Sequence, residues 1–579
     1  MICRKIYNRP LSLAAACWLL GSFFSVSGQA QDQKEKWGEG EIEKVEIQIT
    51  KNRQITLPQA SRNFEKVPPR PAEPIKPAIA YQYKTISFNT PDYSPAIRPL
   101  KLKDEPLSKT YGNYLSAGFG NYSSPYAEAY FTNKRDKNKS YGAKLYHRSF
   151  MTGPVDGKNS ASGNTELRVF GKSMNNYVAL SGFADYENIT THFYGYPPGH
   201  PVDKSSILQS YNIFSLGGEV ENSRSSDFKY SLKGGYSYLS DHYSASENAV
   251  NVDLSSQYKI DNNRRLLIDA DIFLMDRKDN VVASKMRQVV KVKPSYQFSP
   301  IDNLSLTAGF NAVVENDTIG KQNGVHVYPN VAADYTLSNA VQAYASLTGD
   351  IDRVSLHSLA RENAWINSNI NLFNTNRTLE FLAGLRGQLS GKVSYGAGFS
   401  FANLKNLYYY QLDTTKHSQN KFNVFYDNGS TQRISFFGEL NYTSEAFAIG
   451  LRGDYFSYST SMANQIASFY GITNPSLENV ALHRPTYRVA INSTYNIYDK
   501  IILSANFIAQ GGINALDVKT KRLITLNPAA DLNFKINYKV SKQFSLFLDF
   551  NNILSSNYQL YMNYPVRAFQ VLGGASWNF

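Results

Sequence analysis

An all-β fold, a transmembrane antiparallel β-barrel of about 22 strands (range roughly 18–24) with long extracellular loops and short periplasmic turns, is predicted by three observations. The C-terminal segment alternates: Phe569, Val571, Gly573, Ala575, Trp577 and Phe579 fall on one side of an extended chain, and Gln570, Leu572, Gly574, Ser576 and Asn578 on the other. Tight polar turns alternate with mostly longer connections along most of the chain, a segregation that soluble sandwiches and propellers do not show. No stretch beyond the N-terminal leader approaches the roughly 18–20 apolar residues of a membrane helix. Aromatics nevertheless make up 13% of the chain, with 41 Tyr, which suits interface girdles.

The elements follow in order. Residues 1–30 read as a signal peptide: Arg4, Lys5 and Arg9 precede an apolar stretch, and Ser27-Gly28-Gln29-Ala30 ends in small residues that a signal peptidase accepts. Both cysteines, Cys3 and Cys17, lie inside it, which removes disulfides, thiol catalysis and cysteine–zinc sites from the mature chain. The net charge of +13 falls by three with the leader's basic residues. The remaining excess favours anionic solutes or lipopolysaccharide. It is spread along the chain, and no basic cluster with interleaved aromatics points to nucleic acid.

Residues 31–111 are charged and proline-bearing and read as a periplasmic segment. Val45, Ile47 and Ile49 form a short strand-like island able to pair with a periplasmic protein by edge addition, or to fold back on the barrel's own mouth. Pro68, Pro69 and Pro71 belong to an extended spacer that is also a docking candidate.

Residues 112–579 read as the barrel. Leu266, Ile268, Ala270, Ile272 and Leu274 oppose Asp269 and Asp271; Val290, Val292, Tyr296 and Phe298 oppose Lys291 and Lys293. Phe447, Ile449, Leu451 and Tyr455 oppose Arg452 and Asp454; Leu532, Phe534, Ile536, Tyr538 and Val540 oppose Lys535 and Lys539. The charged members of these sets are the lumen-facing candidates, for solute selection or for a hydrated wall lattice. Phe569, Val571, Trp577 and Phe579 mark the barrel-closing strand, the segment offered to barrel-assembly machinery. Pro294 and Pro329 interrupt strand patterns and are expected nearer a rim, with a bulge to accommodate them. Tyr408-Tyr409-Tyr410 reads as part of the outer girdle, and residues 421–428 as a hairpin within a loop. His192-Phe193-Tyr194-Gly195-Tyr196-Pro197-Pro198-Gly199-His200 offers aromatics for stacking on sugars and two histidines, too few for a metal site. No nucleophile motif such as Gly-x-Ser-x-Gly appears, so no enzyme and no cofactor is expected.

Phe547-Leu548-Asp549-Phe550-Asn551-Asn552-Ile553-Leu554, followed by Tyr558, Tyr564-Pro565, Arg567-Ala568-Phe569 and Trp577-Asn578-Phe579, resembles the end of TonB-dependent outer-membrane receptor barrels. Tyr328-Pro329-Asn330-Val331-Ala332-Ala333-Asp334-Tyr335 with Leu337-Ser338-Asn339 resembles a strand phrase of the same family. The resemblance implies a 22-strand barrel and solute transport across the outer membrane. It also implies a plug ahead of the barrel, for which residues 31–111 are too short and too proline-rich. The chain therefore resembles a plugless relative of the type found in Bacteroidetes. A barrel this wide needs narrowing, by loops such as 355–377 with Trp365, by the N-terminal segment, or by a partner. The alternative function is a structural scaffold that anchors periplasmic proteins through residues 31–111.

Overall fold

The computed structural model describes Gln82 and residues 111–579, apart from 135, 198, 200, 225, 282, 318–323, 413–419 and 474–476. The signal peptide, Val45, Ile47, Ile49, Pro68, Pro69 and Pro71 lie outside the described residues.

Twenty-two strands form one closed antiparallel sheet. They are β1 (Asn113–Gly120), β2 (Ser124–Thr132), β3 (Lys139–Phe150), β4 (Ser162–Met174), β5 (Val178–His192), β6 (Leu208–Asn222), β7 (Phe228–Asp241) and β8 (Ser246–Lys259). Next come β9 (Arg264–Lys278), β10 (Lys285–Ile301), β11 (Leu304–Glu315), β12 (Val325–Ser338), β13 (Val341–Asp352), β14 (Thr375–Ser390) and β15 (Val393–Lys405). The ring continues through β16 (Ser430–Thr443), β17 (Phe447–Ser459), β18 (Tyr487–Ile497), β19 (Ile501–Gly511), β20 (Ala529–Lys539), β21 (Phe544–Asn551) and β22 (Gln570–Asn578). Each strand pairs with its neighbours in sequence, and β22 returns to β1 with Ala575 opposite Ala117. Asn113 and Phe579 exchange both backbone hydrogen bonds, at 3.1 and 3.0 Å, so the last residue seals the ladder. Closure removes every strand edge, which a spanning sheet requires in hydrocarbon.

The seam is tight. A Cβ on Gly574 would stand 2.3 Å from the Phe547 ring and 2.4 Å from the Ala117 carbonyl oxygen, so only glycine fits there. On β22 the apolar face points out, with Trp577 47% exposed, while Leu572 on the opposite face is 3% exposed. The same division holds on other strands: Leu266, Ile268 and Ile272 of β9, Leu451 and Tyr455 of β17, and Tyr538 beside β20's end at Val540 are all exposed. A surface this apolar is stable against lipid, not water. No helix among the described residues is long and apolar enough to cross a membrane.

The prolines are accommodated differently from expectation. Pro294 is the tenth residue of seventeen-residue β10, not near its end. The ladder to β11 skips Lys293 and Pro294 and resumes at Ser295 opposite Gly309 in unchanged register, without a bulge. The missing N–H costs one rung rather than a change of register. Pro329 lies opposite Phe310, and pairing of β12 with β13 starts only at Asn330, so its missing donor falls at a ladder end.

Between strands, one rim carries turns such as 339–340 and 391–392, and the other carries connections 353–374, 406–429, 460–486, 512–528 and 552–569. The second rim holds helices α1 (Leu356–Glu362) and α2 (Met462–Phe469). It also holds a hairpin of Tyr408–Leu412 with Phe422–Tyr426, so residues 421–428 supply one arm of a loop hairpin rather than a whole one, and a second hairpin of Asn514–Asp517 with Arg522–Thr525.

Candidate functional site

The largest hydrophobic core among the described residues is built mostly from the connections and rests on strand residues near that rim, Tyr211, Ile213, Leu239 and Met275. Phe193, Tyr194, Ile207, Leu356, Leu359, Ile366, Ile370, Leu412, Phe422, Ile513, Met562 and Tyr564 are buried together. They come from the connections after β5, β13, β15, β19 and β21. Trp365 stacks on Tyr564 with ring centroids 4.3 Å apart, and Tyr194 meets both rings at 5.6 and 4.9 Å. Phe422 packs on Tyr561 at 5.5 Å and on His483 at 5.2 Å.

These contacts cross the mouth. The Asn420 amide donates to the Gly195 carbonyl, and the Tyr564 hydroxyl donates to the Asn420 carbonyl at 2.8 Å. Asn420 lies between β15 and β16 and Gly195 between β5 and β6, so ten of the 22 strands separate them around the ring. Lys421 completes the crossing, its ammonium 3.3 Å from the centroid of the Tyr243 ring between β7 and β8.

Connection 353–374 is fastened to the wall by charge. Glu247 of β8 accepts from the Leu356 and His357 N–H groups at 2.6 and 3.3 Å, at the positive end of α1. The start of α1 is a capping box in which Ser355 Oγ accepts from Ser358 N and Ser358 Oγ accepts from Ser355 N. Arg277 of β9 donates to the Ile370 and Ser368 carbonyls at 2.5 Å each and pairs with Asp279, whose side chain is buried. Arg287 of β10 donates to the Val354 carbonyl and to Asn374 Oδ1, both at 2.8 Å, while paired with Asp317. A second core seats α2: Met462, Ala463, Ile466 and Ala467 pack on Leu404, Leu407, Tyr409 and Leu482. Their i, i+4 spacing puts one apolar stripe against the hairpin.

Two aromatic expectations are overturned here. Tyr409 and Tyr410 are buried in the two loop cores, Tyr409 sharing a 2.8 Å hydrogen bond with Thr431, so the tyrosine triplet is not an outer-girdle feature. Phe193, Tyr194 and Tyr196 are likewise buried and cannot stack on a sugar. In both cases the partners that bury them come from distant connections. Among the described residues no group of three or more His, Cys, Asp or Glu could hold a metal; His200 lies outside the described residues.

Burial also sets the loop titration. His483 donates from Nδ1 to the Tyr410 carbonyl at 2.9 Å and stacks on Tyr561. Its loss of water pushes its pKa down to about 4. Burial and the Arg361 guanidinium push His357 down to about 4 as well, and burial beside Asp241 pushes the Tyr243 hydroxyl up to about 12.

The charged candidates stand on the strand face opposite the exposed apolar residues. Asp269, Asp271 and Lys293 share one hollow of about 530 Å³ with Glu219, Lys233 and Asp253. Lys291 and Lys293 both pair with Asp350, at 2.9 and 2.7 Å, and Asp271 pairs with Arg353. Arg452 pairs with Asp454 and with Glu439. Lys535 lies opposite Asp549, its ammonium 5.4 Å from the Phe547 ring, and Lys539 lies opposite Ser545. These are three separate wall patches, on β9–β10, β17 and β20, not one cluster.

No protein-family model and no curated protein matches the chain. Solved structures do match in shape. The ferripyoverdine receptor of the outer membrane of Pseudomonas aeruginosa aligns at TM-score 0.58 and 12% identity, over 82% of this chain and 72% of that one. The siderophore receptor PirA from Acinetobacter baumannii aligns at 0.60 and 10%, over 81% and 80%. The FrpB iron transporter from Neisseria meningitidis aligns at 0.61 and 8%, over 82% and 83%. At these identities the likeness is one of fold: the chain is a closed 22-strand antiparallel β-barrel of the architecture these outer-membrane receptors share.

Proposed function

We propose that the protein moves a solute across the outer membrane and that its extracellular connections are the gate. The observation that carries this reading is the contact between Asn420 and Gly195, made across ten strands of the ring. A 22-strand barrel is wider than a general porin, so a transporter of this size needs a closure. A packed loop core supplies one that can open by repacking. The likeness to siderophore receptors and an iron transporter makes iron chelates the first cargo class to test. The mixed charges at Asp269, Asp271, Lys291, Lys293, Arg452, Asp454, Lys535 and Lys539 then line the path and keep it wet.

The test is planar-bilayer conductance of the mature protein beside Trp365→Ala and a form lacking residues 31–107. A large channel in Trp365→Ala and none in the parent supports a loop gate. A channel only after deletion moves the gate to the N-terminal segment. Silence from all three moves the function to a scaffold, with docking through Val45, Ile47, Ile49 and the Pro68–Pro71 stretch.

A further inference from the structure

The outer surface of β3–β6 changes character at one level. Leu145, Leu167, Tyr186 and Phe214 are directly paired across the four strands and all exposed. The next outward row toward the loop rim is His147, Thr165, Asn188 and Asn212, again in direct register. Apolar gives way to polar in a single step, which marks the upper edge of the lipid-facing band. The polar side chains are organised rather than scattered. His147 shares hydrogen bonds with Thr165 and Ser149 at 2.8 and 3.1 Å, and the Asn188 amide donates to Ser210 and Asn212 at 3.1 and 2.9 Å. The Thr190 hydroxyl donates to Asn188 Oδ1 at 3.0 Å.

Above this row a cavity of about 790 Å³ opens outward, lined by His147, Thr165, Asn188, Thr190 and His192 and flanked by Lys158 and Lys204 from the connections after β3 and β5. The volume falls within the 300–1,000 Å³ usual for ligand sites. His192 is 2% exposed, and its Nδ1 donates to the Ala161 carbonyl at 2.7 Å. That bond leaves Nε2 as an acceptor, and Nε2 has no hydrogen-bond partner among the described residues. A buried acceptor without a partner is costly, and a small turn of the ring toward a ligand hydroxyl would relieve it. Neither Lys158 nor Lys204 is in an ion pair among the described residues. The one acidic side chain at the mouth, Asp203, accepts from the Ser205 hydroxyl.

We infer that this cavity binds the phosphorylated sugar headgroup of an outer-leaflet glycolipid. Sugar hydroxyls meet the hydroxyl and amide wall and, once the ring turns, His192 Nε2, and phosphate meets the two ammonium groups. The site faces away from the lumen and sits where a lipid headgroup lies, directly above the exposed row of Leu145, Leu167, Tyr186 and Phe214. Hence a lipid, not a solute in transit, is its occupant.

The test places the mature wild-type protein and Lys158→Glu/Lys204→Glu in phosphatidylethanolamine nanodiscs with lipid A and reads bound lipid by native mass spectrometry. Glucosamine 1-phosphate in solution is the second arm. Wild type is expected to retain lipid A about tenfold better than the double variant, the worth of one charge-assisted contact. His192→Phe, which keeps both lysines, should also weaken retention, and unheated gel migration reports folding of each variant. Should the double variant prove unfolded, Lys204→Gln replaces it with the same expected direction. Equal retention by folded wild type and variants overturns the site. Binding of glucosamine 1-phosphate with no preference for lipid A overturns the lipid assignment.

Discussion

The strand wall and the loop cap solve opposite problems with the same chain. The wall turns most of its large hydrophobic residues outward and sets its ion pairs on the opposite face, and its backbone ladder closes on itself through Asn113 and Phe579. The cap does the reverse, burying Trp365's neighbours Tyr194, Tyr564 and Phe422 in a dry interior, as a soluble protein does. A wall held by continuous backbone bonds tolerates side-chain loss. A cap held by interdigitated side chains does not, because each removal leaves a cavity. The difference predicts that mutation will separate the two: cap variants should open the mouth while the barrel stays folded.

The largest effect is expected at Trp365. Trp365→Ala removes the ring stacked on Tyr564 and its Nε1–H hydrogen bond to Thr191, at a cost of about 3–5 kcal/mol to the cap. Limited proteolysis should cut within 353–374, while unheated gel migration still reports an intact barrel. Loss of that migration would show that cap and wall are one cooperative unit, contrary to the comparison.

Acid should act on the cap next. His483 holds its pKa near 4 against an ordinary 6.5, so the packed loop refuses a proton that the released loop accepts. Its contribution is therefore fully present above about pH 6.5 and is lost as pH falls toward 4, on the order of 3 kcal/mol in total. His357 shifts the same way and adds to it. Tryptophan fluorescence or proteolysis of the cap should report loosening across that window. His483→Gln should flatten much of the dependence, and an unchanged profile would remove His483 as its source.

A smaller effect tests how α1 is set. Ser355→Ala removes the acceptor for Ser358 N–H and should cost about 1 kcal/mol. Faster hydrogen exchange at the first amides of α1, with the wall unaffected, is the expected result.

The same division explains what could be read from the chain. Strands such as β9 and β22 were legible because alternation is local: each residue's face is fixed by its immediate neighbours. The strand number followed from turns that are equally local. The cap was not legible, because Asn420 and Gly195 meet across 225 residues and no periodicity links them. Tyr408-Tyr409-Tyr410 looks the same locally whether it faces lipid or a loop core; only packing against α2 and Tyr561 decides. A signal was present in α2, whose Met462, Ala463, Ile466 and Ala467 carry a helical stripe inside a connection. Asp269, Asp271 and Lys293 share one strand face by alternation alone, but their shared hollow depends on cross-strand neighbours that sequence spacing does not encode.

The smallest stability effect, and the sharpest test of the comparison, belongs to the wall. Lys535 stands on β20 opposite Asp549, with its ammonium over Phe547 rather than in an ion pair among the described residues. Lys535→Glu should change barrel stability by less than about 0.5 kcal/mol, as exposed charge substitutions do. Its consequence should appear only when the mouth is open. With the cap as the proposed gate, conductance in the parent should be absent with or without the substitution. In the Trp365→Ala background, Lys535→Glu should shift ion preference toward cations, because the wall decides what passes. A shift already visible in the closed parent would place a leak outside the cap. No shift in the opened barrel would reduce the inner charges to a lattice that hydrates the wall and leave selection to the cap alone.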